Sequence, residues 1–184
     1  MSAERTAGRK STAKKVLLGV AAALAVIVVT GGVVWTMTCP CDQTPGFVLL
    51  GETRDQPVSD WGFANDVALC QIQIGIAWRP HSVNLNCMAT PEGDLFLSCS
   101  FGDNKHWCPR VGEDHPGRLR LNGVVYPVVL NRVMDQATLD RAWAARIRKL
   151  QQPEVQAVQP GGGAPPLDAP RPDTWWSFSV VSRS

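Results

Sequence analysis

Hydrophobic residues fall along this chain in three rhythms, and each predicts a different element. The first is an unbroken run. No charged residue occurs between Lys15 and Asp42, and within that stretch VLLGVAAALAVIVVTGGVVW is apolar throughout. About 20 such residues at about 1.5 Å per residue make a helix that crosses the ~30 Å hydrocarbon layer. The second rhythm is alternation. Ile72, Ile74, Ile76 and Trp78 alternate with Gln71, Gln73, Gly75 and Ala77, the period of a half-buried strand. Val83, Leu85 and Cys87 then alternate with Ser82, Asn84 and Asn86, and Leu95, Leu97 and Cys99 with Phe96, Ser98 and Ser100. The TPEGD turn at 90–94 lies between these two runs, so they read as a hairpin with Asn84, Asn86, Ser98 and Ser100 on its polar face. In RLRLNGVVYPVVLNRV (118–133), Asn122-Gly123 is the pair a type I′ turn selects, because both central positions need positive φ. Pro127 predicts an edge or a bulge in the returning strand.

The third rhythm is helical. Leu139, Ala142, Trp143, Ile147 and Leu150 share one face, with Asp135 or Thr138 as the N-cap. Arg146, Arg148 and Lys149 fall in the last turn, where cations suit the helix dipole, and Pro153 reads as a stop. A short strand is expected at Phe47–Leu50 and a last one at Trp175–Val181. The resulting plan is a basic segment (1–15), a transmembrane helix (16–37), a linker with a first strand (38–60), a β-rich domain (61–152), a flexible Pro/Gly-rich loop (153–173) and a final strand (174–184).

Charge orients this plan. The 184 residues carry 18 Lys or Arg and 16 Asp or Glu, a net charge of +2. Arg5, Arg9, Lys10, Lys14 and Lys15 against Glu4 make the first fifteen residues +4, so the remainder is −2. Nothing in this mildly acidic domain suggests a nucleic-acid footprint, and no nucleic-acid partner is expected. The basic flank predicts a cytoplasmic N-terminus in the inner (cytoplasmic) membrane, with the domain outside the cytoplasm. A cleaved signal peptide has a shorter apolar core and a small-x-small site, whereas VVWTMTC has no Ala-x-Ala. Thr38 before Cys39 is also a poor lipid-attachment signal.

All six cysteines (Cys39, Cys41, Cys70, Cys87, Cys99 and Cys108) follow the apolar run and so face an oxidising compartment if the domain is outside. Six cysteines allow 15 pairings. Cys99 with Cys108 flanks a turn, and Cys70 with Cys87 lies on neighbouring strands; both pairings fit. Cys39-Pro40-Cys41 is too tight for an easy internal bridge and reads as a partner-linking or redox pair, or as an unpaired tether. His106, Cys108 and Cys99 lack the C-x₂₋₄-C spacing of structural zinc, so no metal site is expected.

The stretches HSVNLNCMATPEGDLFLSCS, Lys105-His106-Trp107, GRLRLNGVVYPVVLNRVMD and DTWWSFSVV, in that order, resemble the pyridoxamine 5′-phosphate oxidase-like split-barrel family, which includes flavin- and deazaflavin-dependent oxidoreductases. The resemblance implies a mainly β (α+β) split β-barrel with one helix in its C-terminal half, preceded here by the transmembrane helix. It also implies a homodimer with FMN or a deazaflavin in the groove between barrels. Carried over by position, Asn84, Ser98, Ser100 and Lys105 match the cofactor's phosphate-binding region. Pro80-His81 stands where many family members have a basic residue. The resemblance implies no catalytic side chain, and the spacing identifies none.

Two functions follow. One is a membrane-tethered flavin- or deazaflavin-dependent oxidoreductase. The other is a non-enzymatic, disulfide-stabilised extracytoplasmic binding domain without cofactor, or an accessory subunit of a membrane complex. On the plainer reading Lys105 and Arg110 are solvated loop charges, His81 and His115 are surface residues beside turns, and Trp107, Trp175 and Trp176 pack a core or a dimer contact.

Overall fold

The structure, a computed structural model, describes residues 2–38, 40, 44–158 and 163–183, with side chains except those of 2–12 and 36–38. Cys39 and Cys41 lie outside the described residues. The chain divides into two compact units, Met1–Met37 and Thr38–Ser184. The first is one helix, α1 (Ser2–Thr38), which runs on through the basic segment as well as the apolar one. Its stretch Ala13–Trp35, 23 residues, is long and apolar enough to cross a membrane, and every side chain in it is exposed.

The second unit is an antiparallel half-barrel with helices. Its strands are β1 (Glu52–Thr53), β2 (Cys70–Ile76), β3 (Arg79–Leu85), β4 (Cys87–Ala89), β5 (Leu95–Ser100), β6 (His115–Leu121), β7 (Val124–Arg132) and β8 (Trp175–Ser182). They form one sheet in the order β3-β2-β6-β7-β8-β5-β4, with β1 added parallel to β7. The two ends of that order, β3 and β4, are consecutive in sequence and separated by Asn86 alone. One bent stretch of chain therefore pairs with β2 before the corner and with β5 after it, which curls the sheet on itself. The expected hairpin across TPEGD exists only as Cys87–Ala89 against Leu95–Leu97, because Val83 and Leu85 belong to the pairing with β2.

Alternation decides which face each side chain takes. Ile72, Ile74, Leu97, Leu119, Val128, Leu130 and Phe178 point inward and are fully buried. At about 1.5–3 kcal/mol for each large side chain, these residues contribute roughly 10–20 kcal/mol of favourable burial. Asn122 (φ 48°) and Gly123 (φ 83°) form the two-residue β6–β7 turn as their residue types demand. Pro127 sits inside β7, yet no neighbour needs its missing N–H. β1 pairs only to Val125 and β8 only from Val128, so Pro127 occupies the gap between them. Its carbonyl, on that same side, accepts from the Arg183 amide at 3.0 Å.

Other expectations are corrected. Phe47–Leu50 is not a strand; the short strand there is Glu52–Thr53. Trp78 does not continue β2's buried face but sits in the Ala77-Trp78 hairpin turn, 88% exposed. The helix α2 (Gln136–Leu150) is capped by Asp135, whose carboxylate accepts from the Thr138 amide at 2.8 Å. It covers the outer face of β4 and β5, where Ala142 and Ala145 meet Met88 and Phe96. Arg146 and Lys149, expected in the last turn for the sake of the dipole, are also buried, because this helix lies on the sheet and its buried arc is wider than the apolar stripe. Pro153 opens a further short helix, α3 (Pro153–Val158), where only a flexible loop was expected; Pro is well suited to a first helical turn.

Candidate functional site

Ser98 and Ser100 both lie on the outer face of β5, opposite Ser177 and Trp175 of β8. Ser98 is buried because α2 crosses over it, and its hydroxyl accepts a hydrogen bond from the Arg146 guanidinium. That guanidinium is 3% exposed and stacks 3.8 Å from the Trp175 ring centre. Trp143 meets Trp175 edge-on at 5.5 Å and donates its indole N–H to the Ala169 carbonyl at 2.7 Å. Burial lowers the Arg146 pKa to about 9. Ser98 is thus part of a packed Ser–Arg–Trp stack, and the polar face expected of Asn84, Asn86, Ser98 and Ser100 is not open: Asn86 and Ser98 are buried and the other two half-buried.

Asn84 belongs to a different network. Its side-chain oxygen accepts from Gln71 Nε2 at 3.0 Å, and Gln71 Oε1 in turn accepts from Arg120 Nε. Arg120 also donates to the Leu50 carbonyl at 2.7 Å, while Gln73 Oε1 accepts the Leu49 amide at 2.8 Å. These side chains share one face of β3, β2 and β6 and hold the 49–50 segment across it.

Lys105 is exposed and follows a 3₁₀ turn over Gly102–Asn104. Two devices fix the loop that carries it. Cys99 and Cys108 are joined by a disulfide, and Trp107 is buried with its ring 5.2 Å from that of Phe178. The loop brings His106 against His81, with ring centres 5.0 Å apart. Arg110 donates to the His106 carbonyl, and Arg79 enters β3 two residues before His81. His81 is 8% exposed, not the surface residue expected from the turn beside it, because it pairs with Ile74 on the inner face. Its pKa is lowered, first by burial and then by the charges of His106, Arg79 and Arg110.

The structure therefore keeps the four expected residues in three settings: Ser98 and Ser100 together on β5, Asn84 in the Gln71–Arg120 ladder, and Lys105 on the stapled loop. It adds a cluster of basic residues, Arg79, His81, His106 and Arg110, that sequence reasoning missed. The signal was present as two short basic stretches, 79–81 and 105–110, but nothing local says that they meet. The guanidinium groups of Arg79 and Arg110 offer positive charge, and the imidazoles N–H donors, to an anion of phosphate type. Cys70 and Cys87 are buried free thiols. Among the described residues, no group of three or more His, Cys, Asp and Glu is arranged to hold a metal ion. A shallow hollow along Glu52–Pro57 is lined by none of these side chains.

No protein-family model matches the chain, and no curated protein matches it. Two solved structures to which it is similar are a Listeria innocua protein assigned as a pyridoxamine 5′-phosphate oxidase and an FAD-binding protein from Mycobacterium smegmatis. The first is 9% identical with a TM-score of 0.42, over 66% of this chain and 89% of that one. The second is 14% identical with a TM-score of 0.37, over 70% and 96%. Likeness at this level assigns neither activity nor ligand.

Proposed function

We propose that this chain is a membrane-tethered split-barrel protein that binds a flavin or deazaflavin by its phosphate and serves as an oxidoreductase. The observation that carries the reading is the basic cluster: the His81 and His106 rings meet, Arg110 donates to the His106 carbonyl, and Arg79 opens β3 two residues before His81. Lys105 adjoins it in sequence. The donor set fits a phosphate, since charged N–H groups make hydrogen bonds about twice as strong as neutral ones. Ser98 fits less well, because its hydroxyl already serves Arg146; Ser100, half-buried and two residues on, is the better hydroxyl donor. The flavin ring supplies the hydride or electron transfer when bound. The chain's own residues bind the phosphate and hold the loop in place through Cys99–Cys108 and Trp107.

The apolar helix provides the tether, and its basic flank puts the N-terminus in the cytoplasm and the barrel outside. A second copy of the barrel completes the groove. The test is titration of FMN, and separately of a deazaflavin, into the full chain in mild detergent, followed by flavin fluorescence. Saturable binding weakened at least tenfold by a Lys105→Gln/Arg110→Gln double variant supports the reading; binding of neither cofactor sinks it. The second reading, a cofactor-free extracytoplasmic binding domain or membrane-complex subunit, is favoured by the covering of Ser98 by α2 and by the Cys99–Cys108 disulfide. Co-purification of a stoichiometric partner with colourless protein would select it.

A further inference from the structure

Cys70 opens β2 and pairs in register with Leu85; Cys87 opens β4, two residues beyond Leu85 and just past the corner at Asn86. Both are fully buried and free. The Cys70 thiol donates to the Leu85 carbonyl at 3.5 Å and the Cys87 thiol to the Ala64 carbonyl at 4.0 Å, and after burial the Cys87 thiol is the next cause that raises the Cys70 pKa. Lys149, reaching in from α2 and 2% exposed, donates to the same Ala64 carbonyl at 2.6 Å. The register thus puts both thiols in one buried cluster at the corner of a domain whose other described pair, Cys99 and Cys108, is already bonded.

We infer that Cys70 and Cys87 are the barrel's second disulfide, closed by thiol–disulfide exchange with a disulfide-bearing oxidant at the corner where β3 becomes β4. The inference rests on the outward placement proposed above. In the exchange one cysteine loses its proton to solvent, and its thiolate attacks the oxidant's disulfide, releasing one oxidant sulfur. The second cysteine then attacks the mixed disulfide and releases the other. The two cysteines give up two electrons and two protons, and the oxidant becomes a dithiol. Burial raises the Cys70 pKa and opposes the thiolate, while the Lys149 ammonium favours it. Because both thiols are sealed, exchange proceeds as the corner closes during folding or when it opens locally. The bond would tie β2 to β4 and so fix both pairings of the bent strand at its corner. The competing reading is that both cysteines act only as small buried apolar side chains.

The test incubates reduced full chain in detergent with oxidised dithiothreitol across a urea series below the unfolding midpoint. Samples are quenched with iodoacetamide in denaturant and digested with chymotrypsin. Cleavage after Trp78 and Leu85 separates Cys70 from Cys87, and cleavage after Phe96 separates both from Cys99. A linked pair of peptides carrying Cys70 and Cys87 is expected, alongside linked Cys99 and Cys108. Alkylated Cys70 and Cys87 beside an intact Cys99–Cys108 bond overturns the inference, as does pairing of either with any other cysteine. The same mapping on protein quenched directly from cells separates the two levels. All four cysteines reduced in cells, yet closing with the oxidant, sinks the outward placement and supports the chemistry; Cys99–Cys108 bonded with Cys70 and Cys87 free in both samples sinks the inference alone.

Discussion

Replacing Arg146 by Met tests whether its buried guanidinium is held by the Ser98 and Trp175 contacts alone. Burial lowers its pKa by more than three units, to about 9. At 1.36 kcal/mol per unit, that is a cost of order ~5 kcal/mol. Two contacts offset it: the stack on Trp175, about 2 kcal/mol when desolvated, and the charged hydrogen bond to Ser98, about 1.5–3 kcal/mol. Cost and gain come out nearly even, and no carboxylate is among the causes of the shift. Met keeps the length and the apolar cover of Trp175, so the main loss is a buried Ser98 hydroxyl without its donor, about 1–3 kcal/mol. Arg146→Met should therefore destabilise by roughly that amount, and Arg146→Met/Ser98→Ala should return to within about 1 kcal/mol of the parent. Urea unfolding of the detergent-solubilised full chain, followed by tryptophan fluorescence, measures both variants and their coupling. A loss above ~4 kcal/mol in Arg146→Met that Ser98→Ala does not relieve would refute the reasoning and require an anionic partner for Arg146.

Three further outcomes follow from the same geometry. Cys99→Ala/Cys108→Ala frees a loop with a sequence separation of 9 residues, and chain entropy puts the loss near ~2.7 kcal/mol, readable as a lower urea midpoint. Because burial and the cations around it lower the His81 pKa, the unfolded chain binds that proton more readily. Stability should therefore fall as pH drops through about 6.5 and below, and His81→Gln should flatten the thermal midpoint against pH there. Hydrogen bonds from the Thr138 backbone and side chain lower the Asp135 pKa, so its stabilisation is present above the ordinary aspartate range and is lost as pH falls through the lowered value. Asp135→Ala should abolish that acid dependence and speed amide exchange in the first turn of α2; unchanged exchange at Thr138 would rule out the cap.

How much of this was legible in the sequence depended on range. The apolar run, the β2 alternation, the Asn122-Gly123 turn, the α2 cap and the final strand are each marked by the residue types of a short window, so each could be read locally even where, as for β8, the pairing partners are distant. The resemblance carried the half-barrel as well, since the order of elements reflects topology. The errors lie where the partner is distant. Val83 and Cys87 look like one strand with one partner, yet the corner at Asn86 gives them two. Trp78 continues the alternation perfectly, but Ile76 pairing with Arg79 leaves it in the turn.

The candidate site divides in the same way. The sequence alone determined that Ser98 and Ser100 share a face, that Lys105 follows them in a loop, and that 79–81 and 105–110 are each basic. Only the tertiary structure decided that α2 buries Ser98 under Arg146, and that a loop fixed by Cys99–Cys108 and Trp107 carries His106 to His81. It also decided that Lys149 lies beside two sealed thiols. The physical reason is common to these cases. Residue type and spacing specify what a side chain needs locally, whereas burial of a charge and the meeting of two cationic stretches are set by surfaces that come together only when the sheet curls closed.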